Sequence, residues 1–424
     1  MSQRRVAIVG GGWAGLAAAV AATQRGLAVS VFEMAGQLGG RARSLAPAAE
    51  DEPPLDNGQH ILIGAYRQSL ALMRECGVDV DAALLRQPLR LRYPDHEGLA
   101  LPPGPPLLAF ARGVLACAHW PLSARLALLA RATRWLAGGF DCADSLSVQT
   151  LCAALPAIVR EELIEPLCVA ALNTPAERAS ARVFLRVLHD ALFSGRGGAD
   201  LLLPRRPLSE LLAEPAQAWL HARGARVQLG RRVRLLERRH GGWLLDGQEF
   251  DAVVLACPSG EAARLARPLA PGWADTAAAL RFEPIVTAYL QSAGSRLPAT
   301  MVALREGAGA PAQFAFDLGQ LGHAPGLFSL VVSGAAAWLE REGLEATGQA
   351  ALAQAGAAFA WQSPPRLLRV LAEKRATFAC TPGLRRAPAA IAPDLWAAGD
   401  YVEGPYPATL EGAVRAGQAA AARL

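Results

Sequence analysis

Two spacings of apolar residues alternate along this chain, one suited to strands and one to helices. Residues 6–9 are a short apolar, β-branched run; residues 10–15 hold a glycine cluster; residues 16–24 are rich in helix-forming alanine; and residues 28–32 form a second strand-like run after Gly26. The pattern predicts β-α-β. Gly39-Gly40-Arg41 falls in a loop, and a helix is expected over 65–76. Pro102-Pro103-Gly104-Pro105-Pro106 marks a boundary, followed by a helical stretch over 107–136 that Trp120-Pro121 interrupts. Leu122, Leu126, Leu129 and Leu136 share one face of it, Arg131 and Arg134 lie roughly opposite, and Arg125 intrudes on the apolar side. Such a helix could pack on its own domain or face a membrane.

The pattern is helical over 151–192, stops at Gly195-Arg196-Gly197-Gly198, and is helical again over 208–223. Strands are expected at 225–229, 232–237, 243–245 and 252–256, then at 285–291, 313–318 and 327–333, with an alanine-rich helix over 344–360. A last strand at 394–398 leads into a helix over 409–424. The return of β-rich sequence after residue 225 suggests that a first domain is resumed there. The expected fold is α/β: a Rossmann-like dinucleotide-binding domain from 1–95, 200–265 and 385–424, interleaved with an α+β substrate domain from 96–199 and 266–384.

Composition narrows the function. With 424 residues, 52% hydrophobic and 19% charged, disorder is excluded and a large interior or an apolar cavity is allowed. The net charge of +5 is spread over scattered arginines, Lys374 being the only lysine. That spread gives nucleic-acid binding little support and suits weak attraction to anionic lipid. The seven cysteines are never spaced Cys-x-x-Cys, so neither a disulfide framework nor a zinc site is implied, and a reducing, cytoplasmic setting fits. The uncharged stretch 6–24 after Arg4-Arg5 imitates a membrane anchor, but its glycine cluster would break a helix there, and no spanning helix is expected.

Gly10-x-Gly12-x-x-Gly15 lies where the first strand turns into the first helix, and Glu33 closes the second strand. Three glycines at this spacing carry a mechanism only in that context. The first permits the tight turn, the second lets the backbone approach a pyrophosphate beside Ala14, and the third lets helix and sheet pack closely. Free N–H groups of the helix would meet the pyrophosphate, and Glu33 would accept hydrogen bonds from ribose hydroxyls. An acidic residue there disfavours a 2′-phosphate, leaving FAD or NAD.

The rest of the chain points to FAD. Gly39-Gly40-Arg41 resembles the loop by which the flavin amine oxidase and phytoene desaturase superfamily covers the pyrophosphate. That resemblance implies that Gly40 lies over the pyrophosphate while Arg41 supplies charge, that the backbone of Val233 contacts adenine, and that Gly399-Asp400 contact ribitol or the pyrophosphate. It also places the helix that begins at Thr409-Leu410, within Pro407-Ala408-Thr409-Leu410-Glu411-Gly412-Ala413, with its N-terminus toward the flavin. Residues 55–66 (Leu-Asp-Asn-Gly-Gln-His-Ile-Leu-Ile-Gly-Ala-Tyr) closely resemble the signature of the hydroxysqualene dehydroxylases. Leu172-Asn173-Thr174-Pro175, the stretch 199–204 and Ala376-Thr377-Phe378 resemble that family too, so the likeness runs nearly end to end. Gly404-Pro405-Tyr406 departs from the family's Thr-Gly-Leu, which bears on contacts near the flavin, and Ala416 replaces a common Ser.

The family converts 12-hydroxysqualene to squalene in bacterial hopanoid synthesis. The resemblance therefore implies a hydroxysqualene substrate, an external electron donor, upstream prenyl synthases as possible partners, and peripheral contact with the inner face of the cell membrane. Loss of an allylic hydroxyl needs its oxygen protonated, after which the carbon can accept hydride from reduced flavin. Candidate proton donors are His60, Tyr401, Tyr406 and Asp317. His60 could instead bond backbone, the tyrosines could line an apolar wall, and Asp317 could be an exposed strand acid. Lys374 could hold a water over the flavin or have no role. A polyprenoid desaturase, running hydride transfer the opposite way, and a non-catalytic lipid-binding scaffold are the alternative functions.

Overall fold

The first strand, Arg5–Val9, sits at the centre of a six-stranded sheet in the computed structural model, which describes residues 3–47 and 53–424. The sheet order is Ala390–Ala392, Leu395–Ala397, Ala252–Leu255, Arg5–Val9, Ala28–Phe32, Arg226–Gln228, all parallel except the first, which pairs antiparallel at the edge. Both faces are covered, which is why its strands read as continuous apolar runs. Val6, Ile8, Val29 and Val31 pack toward the helix Trp13–Gln24 and the C-terminal helix Leu410–Ala421. Ala7, Val9 and Phe32 point to the other side, where Trp243, Leu245 and Phe250 of a three-stranded antiparallel meander meet them.

A second sheet of five antiparallel strands has the order Met301–Ala303, Phe314–Asp317, Leu327–Val332, Phe282–Gln291, Arg366–Phe378. Val286, Ala288 and Leu290 on one of its faces pack under the helix Ala336–Ala358. Tyr289, Phe314 and Phe316 on the other join the apolar core that reaches the parallel sheet.

Several elements depart from their expected form. The strand expected at 232–237 is irregular as far as Leu235 and pairs only over Leu236–Arg239. Asp246 Oδ1 accepts from the N–H groups of Arg234 (3.0 Å) and Leu235 (2.8 Å), so the backbone there bonds a side chain rather than a ladder. The helix expected over 344–360 begins at Ala336 and carries a break at Gly343, whose φ of 78° glycine alone adopts freely. The 13-residue strand Arg366–Phe378 was not expected, because most of its residues on both faces are half-buried and no alternation of period two marks it. The stretch 107–136, by contrast, divides at Trp120-Pro121 as expected, into the helices Pro106–Ala116 and Leu122–Ala137. Arg125, anomalous on the apolar face, donates to the carbonyls of Trp120 (2.8 Å), Leu115 (2.8 Å) and Ala118 (3.3 Å) and staples the turn between them.

Candidate functional site

A cleft of about 510 Å³ opens at the carboxyl ends of the parallel strands, where open α/β sheets place ligands. Its floor is the glycine loop. Gly10 has φ +112°, and a methyl group on it would lie 2.6 Å from Ala256 O; one on Gly15 would overlap Gly10 O. These two glycines are thus needed for the turn itself. Gly12 is different: a methyl there would meet nothing nearer than Gly40 Cα at 3.8 Å and would project into the cleft. The helix Trp13–Gln24 starts at Gly12 with no side-chain cap, leaving first-turn N–H groups, Ala14 among them, at the edge of this open space.

The loop after the second strand lies alongside: Gly39 N–H donates to Gly11 O at 2.9 Å. Arg41 follows, with Nη2 on Asp400 Oδ2 (2.7 Å) and Nη1 on Ala376 O (2.7 Å). Burial opposes its charge, yet the adjacent Asp400 carboxylate outweighs that and raises the guanidinium above its ordinary value. Asp400, 8% exposed, is fixed by the same bond. Gly399 borders it under the ring of Tyr401. Thr409 caps the C-terminal helix, its Oγ1 accepting from Gly412 N–H at 3.0 Å, and with Leu410 it lines the cleft. Two helix N-termini therefore converge on one cavity.

Glu33 carries more than expected. Its Oε2 accepts from Gly11 N–H (2.7 Å) and its Oε1 from Ala35 N–H (2.8 Å). Each oxygen keeps acceptor capacity for a ribose hydroxyl, but the carboxylate also ties the glycine loop to the second strand. Val233 lies in the irregular segment, lining the cleft; its C=O accepts from Arg264 Nη2 (2.7 Å), and its N–H has no partner among the described residues. These features fit a flavin dinucleotide. The Gly12 cradle suits a pyrophosphate, Glu33 a ribose, the Val233 N–H an adenine ring nitrogen, and the second helix end an electron-rich ring. Tyr401 adds a buried hydroxyl without an acceptor among the described residues, held protonated because burial and then Cys257 and Asp400 push it well above 10.

The expected proton donors separate in space. His60 lines the cleft, its Nδ1 3.1 Å from Gly58 O. A carbonyl only accepts, so Nδ1 bears the proton and Nε2 is left as an acceptor. Burial lowers its pKa against the opposing Gly58 bond and the Asp56 charge, so the ring is neutral near pH 7. Tyr401 borders the cleft but holds its hydroxyl beneath the surface. Tyr406 is not in the cleft: with Gly404 and Pro405 it lines a separate cavity of about 370 Å³, its hydroxyl accepting from Arg186 Nη2 (3.3 Å). The family departure at 404–406 therefore bears on that cavity rather than on the cleft. Asp317 is buried outside the cleft and fully bonded, accepting from Leu297 N–H (2.9 Å), Gln320 N–H (3.0 Å) and Gln320 Nε2 (2.7 Å). Neither the exposed-acid reading nor the donor reading suits it, since it folds the loop before Thr300. Lys374 is exposed at the sheet edge and holds nothing over the cleft.

Other contributors, though some lie in the family-like stretches, are not singled out by the sequence. Asn173, left-handed at φ 47°, donates to Glu283 O (3.0 Å) and Thr377 Oγ1 (3.0 Å) and accepts from Gly334 N–H (2.6 Å), clamping three segments at the cleft wall. Glu373 accepts from Asn57 Nδ2 at 3.1 Å. Beyond them Ile61, Ala170, Ala171, Ile285 and Leu371 form the apolar part of the wall, with Gln59, Thr287 and Ser333 as its polar members.

A dinucleotide cradle closed by a second helix end, in a cleft whose wall is partly apolar, defines an FAD-dependent oxidoreductase. The family model for flavin-containing amine oxidoreductases matches residues 13–424, so the chain belongs to that family and its cofactor is FAD. Within it the chain belongs with the hydroxysqualene dehydroxylases. It is 30% identical to the hydroxysqualene dehydroxylase of Rhodopseudomonas palustris over 99% of this chain and 97% of that one. It is 28% identical to that of Sinorhizobium fredii with the same coverages. An oxidoreductase from Methanosarcina mazei, 14% identical, superposes with a TM-score of 0.76 over 98% of this chain and 99% of that one, a likeness of fold alone.

Proposed function

We propose that the protein removes the hydroxyl of 12-hydroxysqualene reductively, yielding squalene and water for hopanoid synthesis. The observation that carries this reading is the continuity of the flavin cradle with an apolar wall of Ile61, Ala170, Ala171, Ile285 and Leu371, which suits a hydrocarbon bearing one polar group. The names of the relatives support the substrate class. Reduced FAD supplies the hydride equivalent when bound, and an external donor, a nicotinamide or another reductant, restores it.

The chain's own residues hold and orient. Gly12, Ala14, Glu33, Arg41, Val233, Asp400 and the Thr409–Leu410 helix end would hold the cofactor, drawn from the stretches 1–95, 200–265 and 385–424 that we take as its domain; 96–199 and 266–384 would form the substrate domain. Asn173 fixes the wall. His60 Nε2, when neutral, would accept a hydrogen bond from the substrate's hydroxyl and so orient the C–O bond; as the imidazolium, protonated from solvent, it would donate its Nε2 proton to that oxygen, which departs as water. Upstream prenyl synthases would deliver the alcohol.

Anaerobically reduced protein mixed with hydroxysqualene should form one squalene per flavin oxidised. Turnover of a polyprenoid only with oxidised flavin would make the protein a desaturase instead. No turnover in either state would leave a lipid-binding scaffold.

A further inference from the structure

The helices Pro106–Ala116 and Leu122–Ala137 pack on each other as a hairpin with two dissimilar faces. The inner face is small and closely seated: Ala109, Gly113, Val114, Ala124, Leu128 and Trp135 are buried. A methyl on Gly113 would lie 2.5 Å from Ala100 O, so the first helix rides directly on the strand Glu97–Ala100. The outer face carries Leu107, Leu108, Leu115, Leu122, Leu126 and Leu136, each between 41% and 59% exposed. These are six of the ten exposed large apolar side chains among the described residues, gathered on two adjacent helices.

Charge identifies the occupant. The chain has 37 Asp and Glu in 424 residues, so a stretch as long as 98–140 would ordinarily hold about four, yet it holds none. It does hold four arginines. Arg125 is spent on the turn carbonyls, but Arg112 and Arg134 are exposed and have no carboxylate partner among the described residues. Leu108, Arg112 and Leu115 follow one another at helical spacing, placing a cation between two leucines. A protein-binding patch is typically anchored by exposed aromatic residues, whereas Trp120 and Trp135 here are buried. Leucines rimmed by unpaired arginines, with no acid to be repelled, suit the interface of an anionic bilayer. No helix among the described residues is long and apolar enough to cross a membrane, so the hairpin would lie in its plane.

We infer that this hairpin is the face by which the protein rests on an anionic lipid bilayer, its leucines at the acyl boundary and Arg112 and Arg134 at the phosphates. Its buried side belongs to the same apolar core against which Ile61, Ile285 and Leu371 of the cleft wall pack, so the hairpin and the site proposed for the hydrocarbon are built on one core. This last point rests on the proposed polyprenoid substrate; the lipid contact itself does not.

FAD-loaded protein is sedimented with vesicles of phosphatidylcholine alone or mixed with phosphatidylglycerol. Binding should favour the anionic vesicles and fall with salt. Leu108→Ser with Leu126→Ser should lower partitioning at least tenfold, and Arg112→Gln with Arg134→Gln should abolish the preference for anionic vesicles while sparing the residual binding to neutral ones. Both variants should keep the flavin spectrum and the turnover of detergent-dispersed hydroxysqualene. Unchanged vesicle binding in the leucine variant overturns the inference, as does a concentration-dependent dimer that the same variant dissociates, which would assign the face to a second copy. Vesicle binding by a protein that leaves hydroxysqualene intact in detergent defeats the substrate assignment and leaves the membrane face standing; turnover in detergent without vesicle binding does the reverse.

Discussion

Glu33 does two jobs with one carboxylate, which makes its replacement informative. Glu33→Gln keeps one oxygen but sets an NH₂ group against a backbone N–H of Gly11 or Ala35 and removes the charge that strengthens every bond to it. FAD affinity should fall by about 1–3 kcal/mol. Equilibrium fluorescence titration reads this directly, and an unchanged dissociation constant would confine the carboxylate to its two backbone amides. At His60 the pH axis is the discriminating one. Burial lowers its pKa from the ordinary 6.5, so the imidazolium fraction grows only as pH falls through the acidic side of that value. If His60 is the proton source, the single-turnover rate of the reduced enzyme should rise on acidification from about pH 8 to about pH 5, and His60→Ala should flatten the profile. A profile equally steep in both proteins would place the proton elsewhere.

Among the elements, the C-terminal helix is held by contacts that its sequence hardly advertises. A methyl on Gly417 would overlap Ala14 O, so this helix crosses the first one at backbone distance and brings Thr409 to the glycine loop. Glu411, 2% exposed, accepts from Ser69 N–H and Ser69 Oγ (both 2.9 Å), Gln68 N–H (3.2 Å) and Arg415 Nε (2.7 Å). One carboxylate thus satisfies the open N-terminus of the helix Arg67–Glu75 and neutralises a cation of its own helix. Glu411→Ala would strand those donors and should destabilise the fold by about 3 kcal/mol. A urea titration would show it as a lower midpoint with unchanged slope, and an unmoved midpoint would mean that water replaces the carboxylate without loss.

For the whole molecule, the cofactor site is a clasp between the two ends of the chain. Arg4 donates to Leu424 O and Arg25 to Ala421 O at the far ends of the first strand, the first helix and the last helix, while the cleft at their near ends is walled by residues from both ends of the chain. FAD bound there should stabilise the native state by mass action, about 2.7 kcal/mol at a free concentration one hundred times its Kd. Stripping FAD should therefore lower Tm, and hydrogen exchange should speed up together in the first helix and the C-terminal helix. Exchange that rises at one end alone would show that the clasp is not cooperative.

What could be read from the chain by itself was whatever depends on near neighbours. The strand–glycine loop–helix unit, Glu33 at its end and the strand–helix pair at the C-terminus are set by local φ, helix ends and burial on both sheet faces, all written in consecutive residues. The long strand Arg366–Phe378 escaped because half-burial on both faces erases the alternation that marks a strand. Only the tertiary structure sorted the candidate acids. His60 reaches the cleft, whereas Asp317 turns into its own loop, Tyr406 faces another cavity and Lys374 meets solvent. It alone showed Asn173 and Glu411 as organisers. A side chain's chemistry is local, but its partners come from segments hundreds of residues away: Glu411 meets Ser69, and Asn173 meets Thr377. Which groups share a cavity is decided when the sheets pack, and no period or spacing along the chain records that packing.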